Sequence, residues 1–482
     1  MSALVLAAGP AAAQTQTISL AQAVDEALAK NDRLIDQQDF TQQAELGLRL
    51  AKSTFRPKIV PNINGSFGQT DISSQNYRVD LTQRLTTGTE LRLGVGTSTA
   101  QIPAAGGVEA GDILFYNADT TLTLSQPLLR GFGRKIARRS LTSAELRQAD
   151  AARQRTMAEQ QVSIEVATAY YGVVAQQAFV AVAKQSVERS IKLRDASEAK
   201  LTAGLVSQLD VLRAQQLVAQ AEIQLFDAQS ATDDARDRLL FLLGRQPGGE
   251  IEVEADVPAV DSDPMDVDSA VELAMQKRLD LRGRAEAGVD ADGQLSWARN
   301  QLLPQVDVNL ALTRRGTSQS FGDSFGLDRF QFATFFTIAM PVDRTAQQVD
   351  FQNAMIERNR RRREVSTLER QIRDDVRRSI RDRERLQRQV IAAQTSVDVS
   401  RQEVEVARMR YEKGLSNNLD VVTAESGLLS AESRRIQALV ESAIMRLRLR
   451  AVMGILDPRT DIAMPGTKRA GLTNAGRASG IE

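Results

Sequence analysis

The chain has 482 residues, 61 of them basic and 61 acidic, with no His and no Cys. Zero net charge gives no electrostatic reason to expect a nucleic-acid partner. Without Cys or His the usual zinc, haem and thiol chemistries have no ligands, so no metal, cofactor or enzymatic role is expected. Aromatic residues make up only 4%, too few for a large conventional core, and the richness in Ala, Leu, Val and Gln suits long helix bundles.

At the N-terminus Ala11 and Ala13 precede Gln14. This A-x-A-like pattern predicts export and makes residues 1–13 the remnant of a signal peptide. No Cys follows it, so no N-terminal lipid anchor is expected. No apolar run of about 18 residues occurs, which predicts no transmembrane helix. A chain of this kind would span a bilayer only with strands.

Self-similarity organises the rest. Residues 23–30 recur as 270–277, and the same register runs without gaps through Leu34 and Leu281, Ala51 and Ala298, Pro57 and Pro304. A second gap-free block pairs Gly204, Leu205 and Asp210 with Gly414, Leu415 and Asp420. It continues to Gly244 and Gly454. The chain therefore reads as two repeats, residues 14–244 and 267–456, with a linker at 245–266 and a tail at 457–482 that lacks periodicity and is expected to be disordered.

Each repeat reads helix, strands, very long helix, tight turn, helix. Prolines mark the helix–strand transitions: Pro57 and Pro127 bound one strand region, Pro304 and Pro341 the other. Proline blocks a continuing helix and disfavours helical geometry just before it. No proline lies between Pro127 and Gly204 or between Pro341 and Gly414. A helix filling roughly 65–70 residues there would run about 100 Å. Gly204 and Gly414 read as left-handed residues ending those helices, with tip turns at 204–210 and 414–420.

Heptad spacing predicts coiled-coil packing. The long helix of the first repeat offers Val162, Val166, Ala169, Val173, Val180, Ala183 and Val187. Its return helix offers Leu209, Leu212, Ala219, Ile223 and Phe226. In the second repeat the return helix offers Leu419, Val422, Leu429, Ile436, Val440, Ala443 and Leu447, with Ser426 and Ser433 between. The narrow, Ala-rich stripe suits helices laid edge to edge in a wall.

After Pro304 the residues alternate, with Val306, Val308, Leu310 and Leu312 on one face and Gln305, Asp307 and Asn309 on the other. The returning run places Phe330, Phe332, Phe336 and Ile338 in phase. Runs of about 9–11 residues can cross a bilayer as tilted strands, and apolar outside with polar inside is the pattern of a membrane barrel. A half-buried soluble sheet alternates in the same way. The first repeat carries an additional hairpin, with Tyr77, Val79 and Leu81 followed by Leu91, Leu93 and Val95. It either adds two strands to the barrel or projects as a flap.

Taken together, the two long helices, the strand hairpins and the paired Gly-Leu-turn-Asp-Val motifs resemble the TolC-type outer-membrane efflux family. Leu302-Leu303-Pro304-Gln305, Leu124-Ser125-Gln126-Pro127 and Tyr411-Glu412-Lys413-Gly414 carry the likeness in detail. The resemblance spans roughly residues 18–456. It implies a mainly α fold with a membrane β-barrel: a homotrimer whose twelve strands and long helices form one duct from outer membrane to periplasm. It implies as partners a periplasmic adaptor (membrane fusion) protein and an inner-membrane pump of RND or ABC type, with outer membrane lipid around the barrel. It also places Asp210 and Asp420 at a pore entrance, and Gly204, Leu205, Gly414, Leu415 and Tyr411 where an adaptor docks. Ser416 and Thr423 stand where relatives carry an Arg and a second acid, so an interlocking salt-bridge gate is not expected. Asp210 and Asp420 also sit where an Asp caps a following helix, and both roles stay open. The Arg-rich stretch at 358–388, interleaved with acids, reads as a solvated face laced with ion pairs. A rival reading is a soluble periplasmic coiled-coil scaffold or adaptor.

Overall fold

The computed structural model describes residues 16–65, 74–102, 113–254 and 265–462. The expected signal-peptide remnant lies outside them. In chain order the first repeat forms β1 (Gln16–Ile18), α1 (Leu20–Lys30), α2 (Asp32–Ser53), β2 (Lys58–Gly65), β3 (Ser74–Arg84), β4 (Glu90–Ile102), β5 (Ile113–Pro127), α3 (Arg134–Ala137), α4 (Arg139–Thr202) and α5 (Gln208–Leu242). After β6 (Ile251–Val253), the second forms α6 (Val267–Lys277), α7 (Leu279–Gln301), β7 (Gln305–Ser318), α8 (Phe321–Ser324), β8 (Arg329–Ala339), α9 (Thr345–Glu412) and α10 (Asn418–Val452). A short α11 (Pro458–Ile462) follows. It corrects the expectation of disorder from 457 onward: Arg450 pairs with Asp461 at 2.8 Å, which fastens this turn to α10.

Sequence chemistry explains the helices. α4 runs 64 residues with Gly172 its only helix breaker, and α9 runs 68 with neither Gly nor Pro. Ser19 opens α1 with a capping box shared with Gln22. The chain leaves helical geometry at Asn31 and again at Arg278, equivalent positions of the two repeats, both with extended backbone.

Two compact units arise, each drawing on both repeats. One contains described residues of 16–38, 154–279 and 368–462. Its largest core joins Val24 and Ala27 of α1, Val162, Val166, Tyr170 and Val173 of α4, Leu239 and Leu240 of α5, and Val440 and Leu447 of α10. Tyr170 donates toward the carbonyls of Ile18 and Glu254, 3.1 Å from each, and so ties α4 to the parallel β1–β6 pair. One 18-residue stretch of α4 is apolar enough to cross a membrane by composition, which corrects the expectation that no helix could; half of it is buried within the protein.

The other unit, residues 39–153 and 280–367, holds a six-stranded antiparallel sheet in the order β2-β3-β4-β5-β7-β8. The extra hairpin of the first repeat is therefore inserted between β2 and β5. Directly opposed residues share a face, and one row reads Ile59, Leu81, Leu93, Leu122, Leu312, Phe332 across all six strands. The opposite face carries Asn62, Arg78, Asp119, Arg315 and Arg329 in one such row. The edge strands β2 and β8 are exposed along their whole lengths.

The heptad expectations fare differently in different helices. In α4, Val162, Val166, Ala169, Val173 and Ala183 are buried as expected. In α5 the expected stripe is left open by the chain itself: Leu209, Leu212, Ile223 and Phe226 are 53–67% exposed, while Val211, Ala214, Leu217, Val218 and Ala221 are buried. α10 is split. Ile436, Val440, Ala443 and Leu447 are buried, but nearer the tip the buried positions are Asn418, Val421, Ala424, Glu425 and Leu428, while Leu419 is exposed. The Arg-rich face behaves as expected, with Arg360 and Arg361 paired to Glu364 at 3.1 Å and Arg385 to Asp382 at 3.5 Å.

Candidate functional site

Both long helices end in the same way. Gly204 (φ 69°) and Gly414 (φ 72°) adopt left-handed backbone. The amides of Leu205 and Leu415 then reach back to the carbonyls of Lys200 and Arg410 at 2.9 and 2.8 Å. This closure satisfies the carbonyls that a helix end leaves unpaired. It also turns Leu205 and Leu415 outward, 73% and 68% exposed.

The two following helices start differently. Ser207 caps α5, and Asp210 completes a capping box: its carboxylate accepts from the Ser207 amide at 3.1 Å and from the Ser207 hydroxyl at 2.7 Å. Asp210 is thus occupied as a cap. Asn417 caps α10 without a side-chain bond. Asp420, in the first turn of α10, is exposed and makes no hydrogen bond or ion pair among the described residues.

Beneath the tips a polar network, absent from the sequence reading, joins the four helices. Asn418 is fully buried and donates to Ser197 Oγ at 3.0 Å and to the Asp210 carbonyl at 2.9 Å. Tyr411, also buried, lies with its hydroxyl 2.9 Å from Ser197 Oγ. Lys200 donates to the Tyr411 carbonyl and sits 4.0 Å from the centre of its ring. Tyr411 and Asp210 are so brought together, through Ser197 and Asn418, while Leu201 at the equivalent of Tyr411 is exposed.

One heptad further along α10, Glu425 is 3% exposed and held between Arg189 of α4 (2.7 Å) and Arg408 of α9 (2.5 Å). A further heptad on, Glu432 is buried and pairs with Arg401 at 3.0 Å. Asn418, Glu425 and Glu432 recur every seven residues on the buried face. Polar residues at core heptad positions fix register at a cost in stability. That seven-residue spacing was the signal available in the sequence.

The helix–strand transitions cluster around the prolines. Pro57 and Pro304 immediately precede β2 and β7, Pro127 ends β5 opposite Asp307, and Pro341 follows β8. Asn300 clasps the segment after β5, with its amide donating to the Leu129 carbonyl at 3.2 Å and its oxygen accepting from Gly131 at 2.8 Å. No group of acids able to hold a metal ion occurs among the described residues.

Comparison with known proteins fits this geometry. Residues 89–245 and 270–455, one block in each repeat, match the outer membrane efflux protein family. The fusaric acid resistance protein FusA of Burkholderia cepacia is 28% identical over 43% of this chain, a match that spans only 39% of FusA. The probable efflux pump outer membrane protein SepC of Pseudomonas putida is 27% identical over 82% of this chain and 81% of its own length. Among solved structures the outer-membrane channel OprN superposes with a TM-score of 0.69 at 19% identity, covering 90% of this chain and 89% of OprN. An outer-membrane family sets aside the soluble-scaffold reading. The chain belongs to the outer membrane efflux protein family, the TolC-type channels that its sequence resembles.

Proposed function

We propose that three copies of this chain close into one duct that passes substrate across the periplasm and outer membrane, as the exit component of a tripartite efflux or type I secretion system. An inner-membrane pump of RND or ABC type loads it, and a periplasmic adaptor protein grips the outward-turned Leu205 and Leu415 tips. The observation that carries the reading is the sheet: six strands share one continuous apolar row, and the outer edges of β2 and β8 are unpaired among the described residues. Backbone groups in lipid must be paired, so such edges need a neighbouring copy. The helices ask for the same thing. The stripe Leu209, Leu212, Ile223 and Phe226 is open on α5, and a second copy would cover it.

In this arrangement three Asp420 carboxylates, free of local partners, ring the periplasmic entrance and favour cations, as acidic constrictions do. Asp210 stays a cap. Purified protein in planar bilayers provides the test: cation preference is expected, and it should fall in Asp420→Asn but hardly in Asp210→Asn. Unchanged selectivity in Asp420→Asn would place that carboxylate off the conduction path.

A further inference from the structure

The first repeat places four strands in the sheet where the second places two. We propose that the inserted hairpin β3–β4 is a length of membrane wall covered by outer-membrane lipid, so that each copy supplies six strands and the barrel closes with 18. The inference rests on the three-copy reading above. Were both repeats to carry only the pair seen in the second, three copies would close with about 12 strands. Barrel diameter grows roughly linearly with strand number, so the bore would be about half as wide again.

Three observations place the hairpin in the wall. First, its turn lies at the helix end of the sheet. Gly133 of the segment leading into α3 donates to the Thr87 carbonyl at 3.3 Å, and Thr89 donates to Gln126 of β5 at 2.5 Å. Gly88 (φ 97°) packs so closely that a Cβ there would lie 2.7 Å from the Gly131 carbonyl. A flap projecting beyond the barrel would carry its turn at the opposite end.

Second, the apolar face continues through the insertion without a step: Leu81 and Leu93 stand between Ile59 and Leu122, and Val79 opposes Val95. Third, the polar face is stitched across it. Arg78 of β3 bonds Asp80 at 2.9 Å and passes over β4 to Asp119 of β5 at 3.2 Å. It can do so because β4 presents Gly94 and Gly96 there; a Cβ on Gly94 would overlap the Arg78 guanidinium and lie 2.7 Å from Asp80 Oδ1. Asn62 of β2 joins at Asp80 (3.1 Å) and Thr121 at Asp119 (3.2 Å).

The chain has no cysteine, so single-cysteine variants of the full protein give a clean labelling background. Spin labels at Leu81→Cys and Leu93→Cys, Thr82→Cys and Arg92→Cys, with Leu310→Cys and Asn309→Cys of β7 as references, would be read in vesicles by collision with oxygen or a water-soluble nickel chelate. We expect positions 81, 93 and 310 to favour oxygen and 82, 92 and 309 to favour nickel. Water exposure at 81 and 93 with lipid exposure at 310 overturns the proposal. Water exposure at all three overturns the membrane reading itself. Electron cryomicroscopy of the same protein should count 18 strands; a closed barrel of 12, or a copy number other than three, overturns the count.

Discussion

α5 and α10 are the same helix written twice, each 35 residues long and entered through the same glycine turn, yet they solve opposite problems. α10 buries Asn418, Glu425 and Glu432 against α4 and α9 of its own chain. The repeat equivalents Gln208, Gln215 and Glu222 on α5 are exposed. At the entry the roles reverse: Asp210 of α5 is bound into a cap, and Asp420 of α10 is free. Duplication preserved the backbone and the spacing, while each helix took side chains suited to the neighbour it meets.

The sharpest way to break that contrast is at the middle heptad. Glu425→Ala leaves Arg189 and Arg408 facing each other without their anion, and removing one partner of a buried pair costs about 3–5 kcal/mol. Gln215→Ala, its exposed equivalent, should stay within about 0.5 kcal/mol of the parent. Denaturant unfolding in detergent reads both, and equal effects would mean that the buried acids carry no special weight.

Asn418→Ala should cost about 1–3 kcal/mol, because the Asp210 carbonyl and the Tyr411–Ser197 pair lose a buried donor, whereas Gln208→Ala should be nearly silent. Asp210→Ala removes the capping box and should cost about 1 kcal/mol. Asp420→Ala should leave unfolding unchanged, since that side chain bonds nothing among the described residues.

The smallest effect lies at the other end of the return helices. Arg245, just after Gly244, makes a two-pronged pair with Glu26 at 2.8 and 2.6 Å, where the second repeat has Ile455 and Leu273. The Arg245 hydrogen bond outweighs partial burial and holds the Glu26 carboxyl below its ordinary 4.5. A depressed folded-state pKa contributes stability that is complete above the unfolded value and fades as pH falls through the folded one. The midpoint of thermal unfolding should therefore decline below about pH 4.5, and Glu26→Gln should flatten that part of the decline. An identical acid limb in the variant would remove Glu26 from the account.

Much of this architecture was legible from residues alone. The two gap-free repeats, the proline-bounded strands, the uninterrupted long helices and the glycine turns follow from backbone chemistry that acts within a few residues. The alternation around Val308 and Leu310 gave the faces of the sheet for the same reason, since successive strand side chains point to opposite sides. Heptad spacing was less complete as a guide. It finds apolar stripes but does not say which neighbour covers them, so it gave no sign that the chain itself buries Val211, Ala214 and Leu217 of α5 and leaves Leu209, Leu212, Ile223 and Phe226 open.

Sequence by itself determined the two repeats, the long helices, the strand hairpins and the two faces of the sheet, because those depend on local propensity and periodicity. Tertiary structure alone decided the rest: that β3–β4 runs back to the helix end and joins the sheet, that Arg78 crosses two glycines to reach Asp119, and that Asn418 meets Ser197 and Glu425 meets Arg189 beneath the tips. Each of those outcomes turns on groups tens to hundreds of residues apart in the chain, and such contacts leave no period for a linear reading to detect.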